Sequence, residues 1–366
     1  MAKSIRTKSS KPAKLSGKDS FNVAVIGTGA IGLDHINSFK QHPAANVVAI
    51  AEVSPERGKE AADKFGIPEV VTDYKVLLSR PDIDIFSIAL PNYLHAPVSL
   101  AALRAGKHVM LDKPMATNAA DAAKLVDEAK KQKVLLMVGQ NNRFTPEVQT
   151  AKGLIAKGAL GDVYHAKTAW TRRTGIPRIG SWFTQKKFAA GGATYDIGVH
   201  ALDRCLYLMG EFDAAAVSGQ TYAKFGPRGL GGGSWGKGEI TPGLPFDVDD
   251  LSVALIKLRS GRTVLLEASW AAHQPFPDFN GTQLFGTDAG ILFPPLQMFR
   301  TAPTGYVTEL VTTSASLVNT NRMVHFIDCL LGKADPYVKP EESLAVQKIL
   351  DAIYLSAKTG KEVRIK

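Results

Sequence analysis

The sequence predicts an α/β protein: a doubly wound parallel sheet at the N-terminus, then a second α/β unit built on a largely antiparallel open sheet. Three observations predict it. A short buried strand, Phe21-Asn-Val-Ala-Val-Ile26, runs into a glycine turn and then a helix. Strand and helix signals alternate from Phe21 to about Asn141, as a parallel sheet with crossover helices requires. Beyond that point the alternation gives way to consecutive strand signals, which fit an antiparallel sheet covered by helices on one face.

The glycine turn reads Gly27-Thr-Gly29-Ala30-Ile31-Gly32. The first glycine allows the tight turn, the second leaves backbone N–H groups open to a pyrophosphate, and the third lets the helix lie close on the strand. The helix N-terminus then faces the phosphates with the positive end of its dipole. A second apolar run, Asn46–Ala51, ends at Glu52, 20 residues past Gly32. That spacing completes a dinucleotide-binding Rossmann pattern. Ser54-Pro55 starts the next helix and Gly66 ends it. A strand over 83–90, a helix over 94–105, a strand over 108–112, a helix over about 117–132 and a sixth strand over 134–139 complete the first unit. Next come a helix over about 145–158, a strand over 162–171 and a helix over about 194–209. Strands at 212–223, 248–259, 262–271, 282–294 and 306–313 then precede closing helices at about 319–331 and 341–358. The expected division is a disordered basic tail (1–20), a dinucleotide-binding domain (21–143) and a second domain (144–366). The glycine-rich stretch 225–245, which carries Trp235, reads equally as a flexible link and as a lid or subunit contact.

The net charge of +10 raises nucleic acid as a partner, but Lys3, Arg6, Lys8, Lys11, Lys14 and Lys18 place much of it in the tail. No nucleic-acid partner is expected. No apolar run approaches the roughly 18 residues of a membrane helix, so no membrane association is expected either. Cys205 and Cys329 offer no disulfide framework, which fits buried free thiols in the cytoplasm.

Three groups beyond the glycine turn carry chemistry. Asp112-Lys113-Pro114 follows the fifth strand, and ligands of open parallel sheets bind outside the carboxyl ends of the strands. Pro91-Asn92-Tyr93-Leu94-His95 follows the fourth, where Asn92 can cap a helix and both Asn92 and His95 lie at the cofactor edge. In Gly191-Gly192-Ala-Thr194-Tyr195-Asp196-Ile-Gly-Val-His200-Ala-Leu-Asp203, Asp196 and His200 are four apart and share a helical face. A polar stripe on a buried helix is costly unless it lines a cleft or is internally paired. Metal-ligand spacing is missing from it, so no metal is expected.

Taken together, these pieces and Arg143-Phe144 with Pro146 resemble the glucose–fructose oxidoreductase, inositol dehydrogenase and rhizopine-catabolism (Gfo/Idh/MocA) family, from about residue 21 to the C-terminus. The family usually has glutamate where this chain has Asp112, so Asp112 is given no catalytic role. The resemblance implies a nicotinamide cofactor and a sugar, polyol or related carbonyl substrate. It also implies a homodimer or homotetramer built on the open sheet, and a catalytic group of Lys113, Asp196 and His200. The cofactor would meet Gly27, Gly29, Ala30, Ile31, Gly32, Glu52, Pro91, Asn92, His95, Lys113 and Gln140. Arg172, Arg173, Trp182 and Tyr195, with Asp196 and His200, are the substrate-side candidates; Trp270 and His273 are further ones.

The residues agree with that reading. Oxidising a secondary alcohol removes a hydride, which the cofactor takes, and a proton, which the protein must take. A neutral imidazole at His200 suits the proton, and the Lys113 ammonium suits the oxygen on which negative charge develops. Whether histidine or lysine is the final proton acceptor stays open; His200 is the expectation. Glu52 favours NAD over NADP, because a carboxylate accepts from ribose hydroxyls and repels a 2′-phosphate. The competing readings are a glycosidase that uses bound NAD transiently and a non-catalytic sensor on the same scaffold.

Overall fold

The computed structural model describes residues 17–234, 240–241, 243–313 and 321–366. Most of the basic tail, and Trp235 of the glycine-rich stretch, lie outside the described residues. β1 (Phe21–Ile26), α1 (Ala30–Phe39), β2 (Ala45–Ala51), α2 (Pro55–Phe65), β3 (Glu69–Val71), the one-turn α3 (Lys75–Leu78), β4 (Ile85–Ile88), α4 (Asn92–Arg104), β5 (His108–Leu111), α5 (Ala119–Gln132) and β6 (Leu136–Val138) come first. The six strands are parallel in the order β3-β2-β1-β4-β5-β6. Helices cover both faces, so β1 and β4 are almost wholly buried and read as continuous apolar runs. The strand order reverses between β1 and β4, and the crevice above that point is where open α/β sheets bind ligands.

Local chemistry sets the helix ends. Ser54 Oγ accepts from Arg57 N at 3.3 Å, Pro55 opens α2, and Gly66 closes it in the left-handed region at φ +67°. Asn118 caps α5 by accepting from Asp121 N at 2.8 Å. α4 differs from expectation. It begins two residues early, at Asn92, with Pro91 as the residue before it, so Asn92 lies inside the helix and does not cap it.

A short 3₁₀ turn (Asn141–Phe144) leads to α6 (Pro146–Ala156), β7 (Val163–Arg172), β8 (Ile176–Pro177) and α7 (Lys186–Ala189). A π-helical segment (Thr194–Gly198) runs directly into α8 (Val199–Met209). β9 (Ala214–Tyr222), β10 (Gly232–Gly233), β11 (Leu251–Leu258), β12 (Thr263–Ser269), β13 (Asp278–Gly286), β14 (Ala289–Phe293), β15 (Gln297–Ala302), β16 (Gly305–Leu310), α9 (Arg322–Leu330), α10 (Pro340–Thr359) and β17 (Val363–Arg364) complete the chain. Nine strands form one sheet in the order β16-β15-β14-β13-β7-β12-β11-β9-β17. Only β7 and β12 pair in parallel within it; the other neighbours are antiparallel. The run 282–294, expected as one strand, folds as the hairpin β13–β14, and β15 was not expected at all.

The inner face of this sheet presents Ala254, Ile256, Val264, Leu266, Leu284 and Ile291 to α8 and α10. α9 behaves differently from its place in the chain. Met323, Phe326, Ile327 and Leu330 pack into the core of the parallel sheet, so the chain returns to its first unit before α10.

A buried cation ties the two units together. Arg143, fully buried, gives Nε to Asp203 Oδ2 at 2.8 Å and Nη2 to Asp203 Oδ1 at 2.6 Å. Its Nη1 bonds to Tyr337 O at 2.6 Å and to Glu342. Such a fork satisfies planar guanidinium geometry. Asp203 thus finishes the polar stripe of α8 as a brace. Burial raises its carboxyl above the usual range, against the pull of Arg143.

Candidate active site

The glycine turn is built as its sequence implies. Gly27 stands at φ +92°, and a Cβ there would come within 2.4 Å of Ala89 O. A Cβ on Gly32 would lie 2.0 Å from Gly27 O, so helix and turn are in contact through glycine alone. Gly29 has a different reason. A Cβ there would meet no atom within 4 Å, so packing among the described residues does not require glycine. α1 starts at Ala30 with no side-chain cap and no acidic residue in its first turn, and Gly29 and Ala30 are exposed. An uncapped helix N-terminus with open space above it suits a pyrophosphate. The residues present therefore fit a dinucleotide.

Glu52 follows β2 and is 6 % exposed. Its Oε2 accepts from Thr28 N at 2.9 Å and from Thr28 Oγ1 at 2.8 Å. Its Oε1 accepts from Ser54 N at 3.1 Å and from Arg57 Nη2 at 2.7 Å. Burial alone would raise this carboxyl, but the Arg57 guanidinium and the Thr28 and Ser54 N–H groups outweigh it and hold the group below the usual carboxylate range. Glu52 therefore also pins the glycine turn, a task not legible from its spacing.

Asn92 and His95 are both buried, and both act on neighbouring chain. Asn92 Nδ2 donates to Ala189 O at 2.9 Å, joining α4 to α7. His95 Nδ1 sits 2.6 Å from Pro114 O and Nε2 sits 2.7 Å from Leu90 O. A neutral ring has one N–H to give, so the imidazole donates to one of these carbonyls and rests against the other, beside the loop that carries Lys113. Gln140, just past β6, is 2 % exposed, and its Oε1 has no partner among the described residues. An orphaned buried acceptor at the carboxyl edge of the sheet fits a ligand contact.

Lys113 reaches across to the second unit. Its Nζ donates to Asp196 Oδ1 at 2.8 Å and to Asp196 O at 3.0 Å. Asp196 lies in the π-helical segment, where the register of backbone bonds changes; such segments recur at functional sites. His200 follows on α8, one turn on, and is 6 % exposed. Burial, then the charges of Lys113, Arg204, Arg322 and Arg172, push its pKa well below the usual 6.5, so the ring stays neutral. Its Nδ1 has no partner among the described residues. The ammonium and imidazole, 87 positions apart in the chain, are thus brought to one place.

The start of this helix is set from afar. Gly192 N and Thr194 N donate to Asp249 Oδ1 and Oδ2 at 2.7 and 3.0 Å, and Thr194 Oγ1 donates to Oδ2 at 2.7 Å. A Cβ on Gly192 would strike Asp249 O at 1.8 Å. Gly192 therefore admits the Asp249 backbone, just ahead of β11, and Asp249 was missed because nothing near it in sequence points to residue 192.

The substrate-side candidates divide. Trp170 stands 5.6 Å from the His200 ring, with Arg172 stacked over it at 4.8 Å. Asp278 holds both, accepting from Trp170 Nε1 at 3.1 Å and Arg172 Nε at 3.2 Å. Trp170 was missed; only its later position beside His200 marks it. Arg173 is exposed and turned to the carbonyls of Gln274 and Pro275, and Trp182 stacks on Phe183 at 3.8 Å. Among the described residues no contact ties either to Lys113, Asp196 or His200. His273 packs edge-on against Phe225 at 5.0 Å. Tyr195 departs from expectation: it is 3 % exposed, and its hydroxyl donates to Asp351 Oδ1 at 2.6 Å and accepts from Gln347 Nε2 at 2.9 Å. Its polar end is committed to α10, where it braces the helix. Trp270 is fully buried and donates its indole N–H to Asp196 Oδ2 at 2.9 Å, so it supports the site from behind. Among the described residues no cluster of histidine, cysteine and carboxylates could hold a metal ion.

Both units of the chain match known proteins. The family model of the oxidoreductase family with an NAD-binding Rossmann fold matches residues 21–140, and that of the GFO/IDH/MocA C-terminal domain matches residues 148–292. Levoglucosan dehydrogenase of Pseudarthrobacter phenanthrenivorans is 33 % identical over 74 % of this chain and 73 % of its own length. D-glucoside 3-dehydrogenase of Escherichia coli is 28 % identical over 94 % of this chain and 97 % of its own. A solved levoglucosan dehydrogenase, in complex with NADH and levoglucosan, superposes with a TM-score of 0.82 at 26 % identity, covering 95 % of this chain and all of the other. The chain belongs to the Gfo/Idh/MocA family of NAD-binding oxidoreductases.

Proposed function

We propose that Lys113, Asp196 and His200 move the proton, and hold the oxygen, of a sugar or polyol hydroxyl whose hydride passes to NAD. The observation that carries this reading is the Lys113 ammonium, 2.8 Å from Asp196, which itself lies one helical turn before a neutral His200. NAD-dependent oxidoreduction is the activity of the family, and curated relatives are named as dehydrogenases of levoglucosan and of D-glucosides. The sugar itself, and the carbon oxidised, belong to the test below.

The pyrophosphate would lie on the backbone N–H groups of Gly29, Ala30 and Ile31, with Gly27 and Gly32 closing the turn beneath it. Glu52 would meet the adenosine ribose, and Pro91, Asn92 and Gln140 would line the nicotinamide side, with His95 holding the Lys113 loop in place. When bound, the nicotinamide supplies the hydride acceptor. The chain does the rest. An ammonium has three N–H donors; Asp196 takes two, which leaves the third for the substrate oxygen. As charge grows on that oxygen, this fixed donor stabilises it without having to reorient. Nδ1 of His200 is sealed from solvent, which leaves Nε2 to accept the hydroxyl proton. Trp170 and Arg172 would form the wall against which the sugar ring rests; aromatic faces and guanidinium donors suit a hydroxyl-rich ring.

The outer face of the nine-stranded sheet carries a cavity of about 720 Å³. Leu255, Leu265, Lys167, Gln283 and Leu292 form one outward row across it, and Val253 and Leu265 are exposed. Exposed apolar rows on a broad sheet suit a second copy of the chain, which supports a homodimer or homotetramer. Two buried free cysteines suit a cytoplasmic location. None of the described helices is long and apolar enough to cross a membrane.

The test is a panel of monosaccharides, polyols and glycosides with NAD and with NADP, following nicotinamide absorbance. Reduction of NAD by at least one sugar is expected. No absorbance change across the panel, with NAD bound, would refute the reading.

A further inference from the structure

Both oxygens of the Asp196 carboxylate are engaged: Oδ1 by Lys113 at 2.8 Å and Oδ2 by Trp270 Nε1 at 2.9 Å. A carboxylate turns easily about its last bond, because that torsion has broad, two-fold wells. Something must fix its plane if one oxygen is to serve the lysine. Trp270 is well placed to do so. It follows β12, is fully buried, and its backbone N–H is bonded to Asp250 O at 2.8 Å. The Asp250 carboxylate in turn gathers the N–H groups of Lys224, Phe225 and Gly226 at 2.7, 2.6 and 3.1 Å. The indole thus stands on a frame anchored at both its own strand and the start of the glycine-rich stretch.

We propose that Trp270 is a positioning residue of this active site: its N–H fixes the plane of the Asp196 carboxylate, and through it the direction in which the Lys113 ammonium points. The inference rests on the assignment of Lys113, Asp196 and His200 given above. Trp270 touches no reacting atom. It acts by keeping Oδ1 in the ammonium's path, so that two N–H groups of Lys113 stay on Asp196 Oδ1 and O while the third remains directed at the substrate. Without the indole donor, Oδ2 is a buried acceptor lacking its partner, the carboxylate loses its fixed plane, and Oδ1 no longer stays in the ammonium's path.

Two readouts test this, one independent of turnover. In the full chain without substrate, Lys113 is acylated by a small anhydride and the modified peptide is quantified by mass spectrometry. Trp270→Phe keeps an aromatic ring and removes the N–H. Lys113 should then label roughly threefold faster or more, because its carboxylate no longer holds it in one place. Trp270→His keeps a ring N–H and should label close to the parent. Equal acceleration in both variants, or in neither, overturns the proposal. If the phenylalanine variant does not fold, Trp270→Met takes its place in the same comparison. The second readout uses the sugar found in the panel. Trp270→Phe should lower kcat roughly 10- to 100-fold, the effect of a lost charge-assisted hydrogen bond, with NAD affinity unchanged. In an Asp196→Ala background the same substitution should have no further effect. Additive losses would show that Trp270 merely fills space. A chain inactive on every sugar, yet showing the labelling difference, would sink the proposed function and leave the positioning role standing.

Discussion

Replacing Lys113 with alanine probes the site at its centre, and the structure sets the size of the effect. The ammonium lies 2.8 Å from Asp196 Oδ1, with the two side chains 13 % and 8 % exposed. Removing one member of a buried, hydrogen-bonded ion pair costs about 3–5 kcal/mol, because the other charge is left uncompensated. Here Trp270 still holds Oδ2 at 2.9 Å, so the stability loss should fall near the lower bound, about 3 kcal/mol. The kinetic loss is separate. A preorganised donor to a developing oxyanion contributes about 100- to 1,000-fold in kcat. Lys113→Ala should therefore lose at least that factor with the sugar identified by the panel. Its NAD affinity, measured by calorimetric titration, should stay within about threefold, since the proposed dinucleotide contacts lie mainly on the glycine turn and Glu52. A thermal melt reads the stability term. A variant that turns over within about threefold of the parent, while folded, would remove the ammonium from the mechanism.

Other outcomes follow from the same geometry. His200 is held neutral well below pH 6.5, first by burial and then by Lys113, Arg204, Arg322 and Arg172. The base form of a histidine so depressed persists as pH falls, so the acidic limb of kcat/KM for oxidation should lie below pH 6.5, and a limb above that value would argue against His200 as the proton acceptor. Glu52→Ala should raise the preference for NADP relative to NAD by roughly tenfold or more, because Arg57, now 2.7 Å from the carboxylate, is freed to meet a 2′-phosphate. An unchanged ratio of kcat/KM values for the two cofactors contradicts the assignment. Arg143→Ala should destabilise the fold by about 3–5 kcal/mol, since fully buried Asp203 would lose its ion-pair partner; a melt matching the parent would show that the pair is dispensable.

The parallel sheet was largely legible because its signals are local. β1 is an apolar run closed by a glycine that only a left-handed turn explains, and α2 carries its own cap, proline and terminal glycine. The proposed group of Lys113, Asp196 and His200 could be picked out for a similar reason: Asp196 and His200 are one turn apart, and Lys113 follows a strand end. What escaped were features set by distant partners. Asn92 looks like a helix cap, but the helix starts on it, and Ala189 claims its amide. The run 282–294 has enough apolar residues to read as one strand, and the hairpin at Thr287-Asp288 becomes evident only once β13 and β14 pair. β15 lacks the alternation of a half-buried strand, since its residues Gln297–Ala302 are all partly or wholly exposed. Tyr195 sits beside Asp196 in sequence, yet the helix turns it toward Asp351. Asp249 shapes the site from 55 positions away, and Trp270, named from sequence as a substrate-side candidate, supports Asp196 from 74 positions away; no spacing rule reaches that far.

The most direct measurement is a crystal structure of the chain with NADH and the sugar from the panel. One sugar hydroxyl is expected within hydrogen-bond reach of both Lys113 Nζ and His200 Nε2, with its carbon facing the nicotinamide and the ring against Trp170. A sugar bound in that crevice with its reacting carbon turned away from both side chains would contradict that expectation.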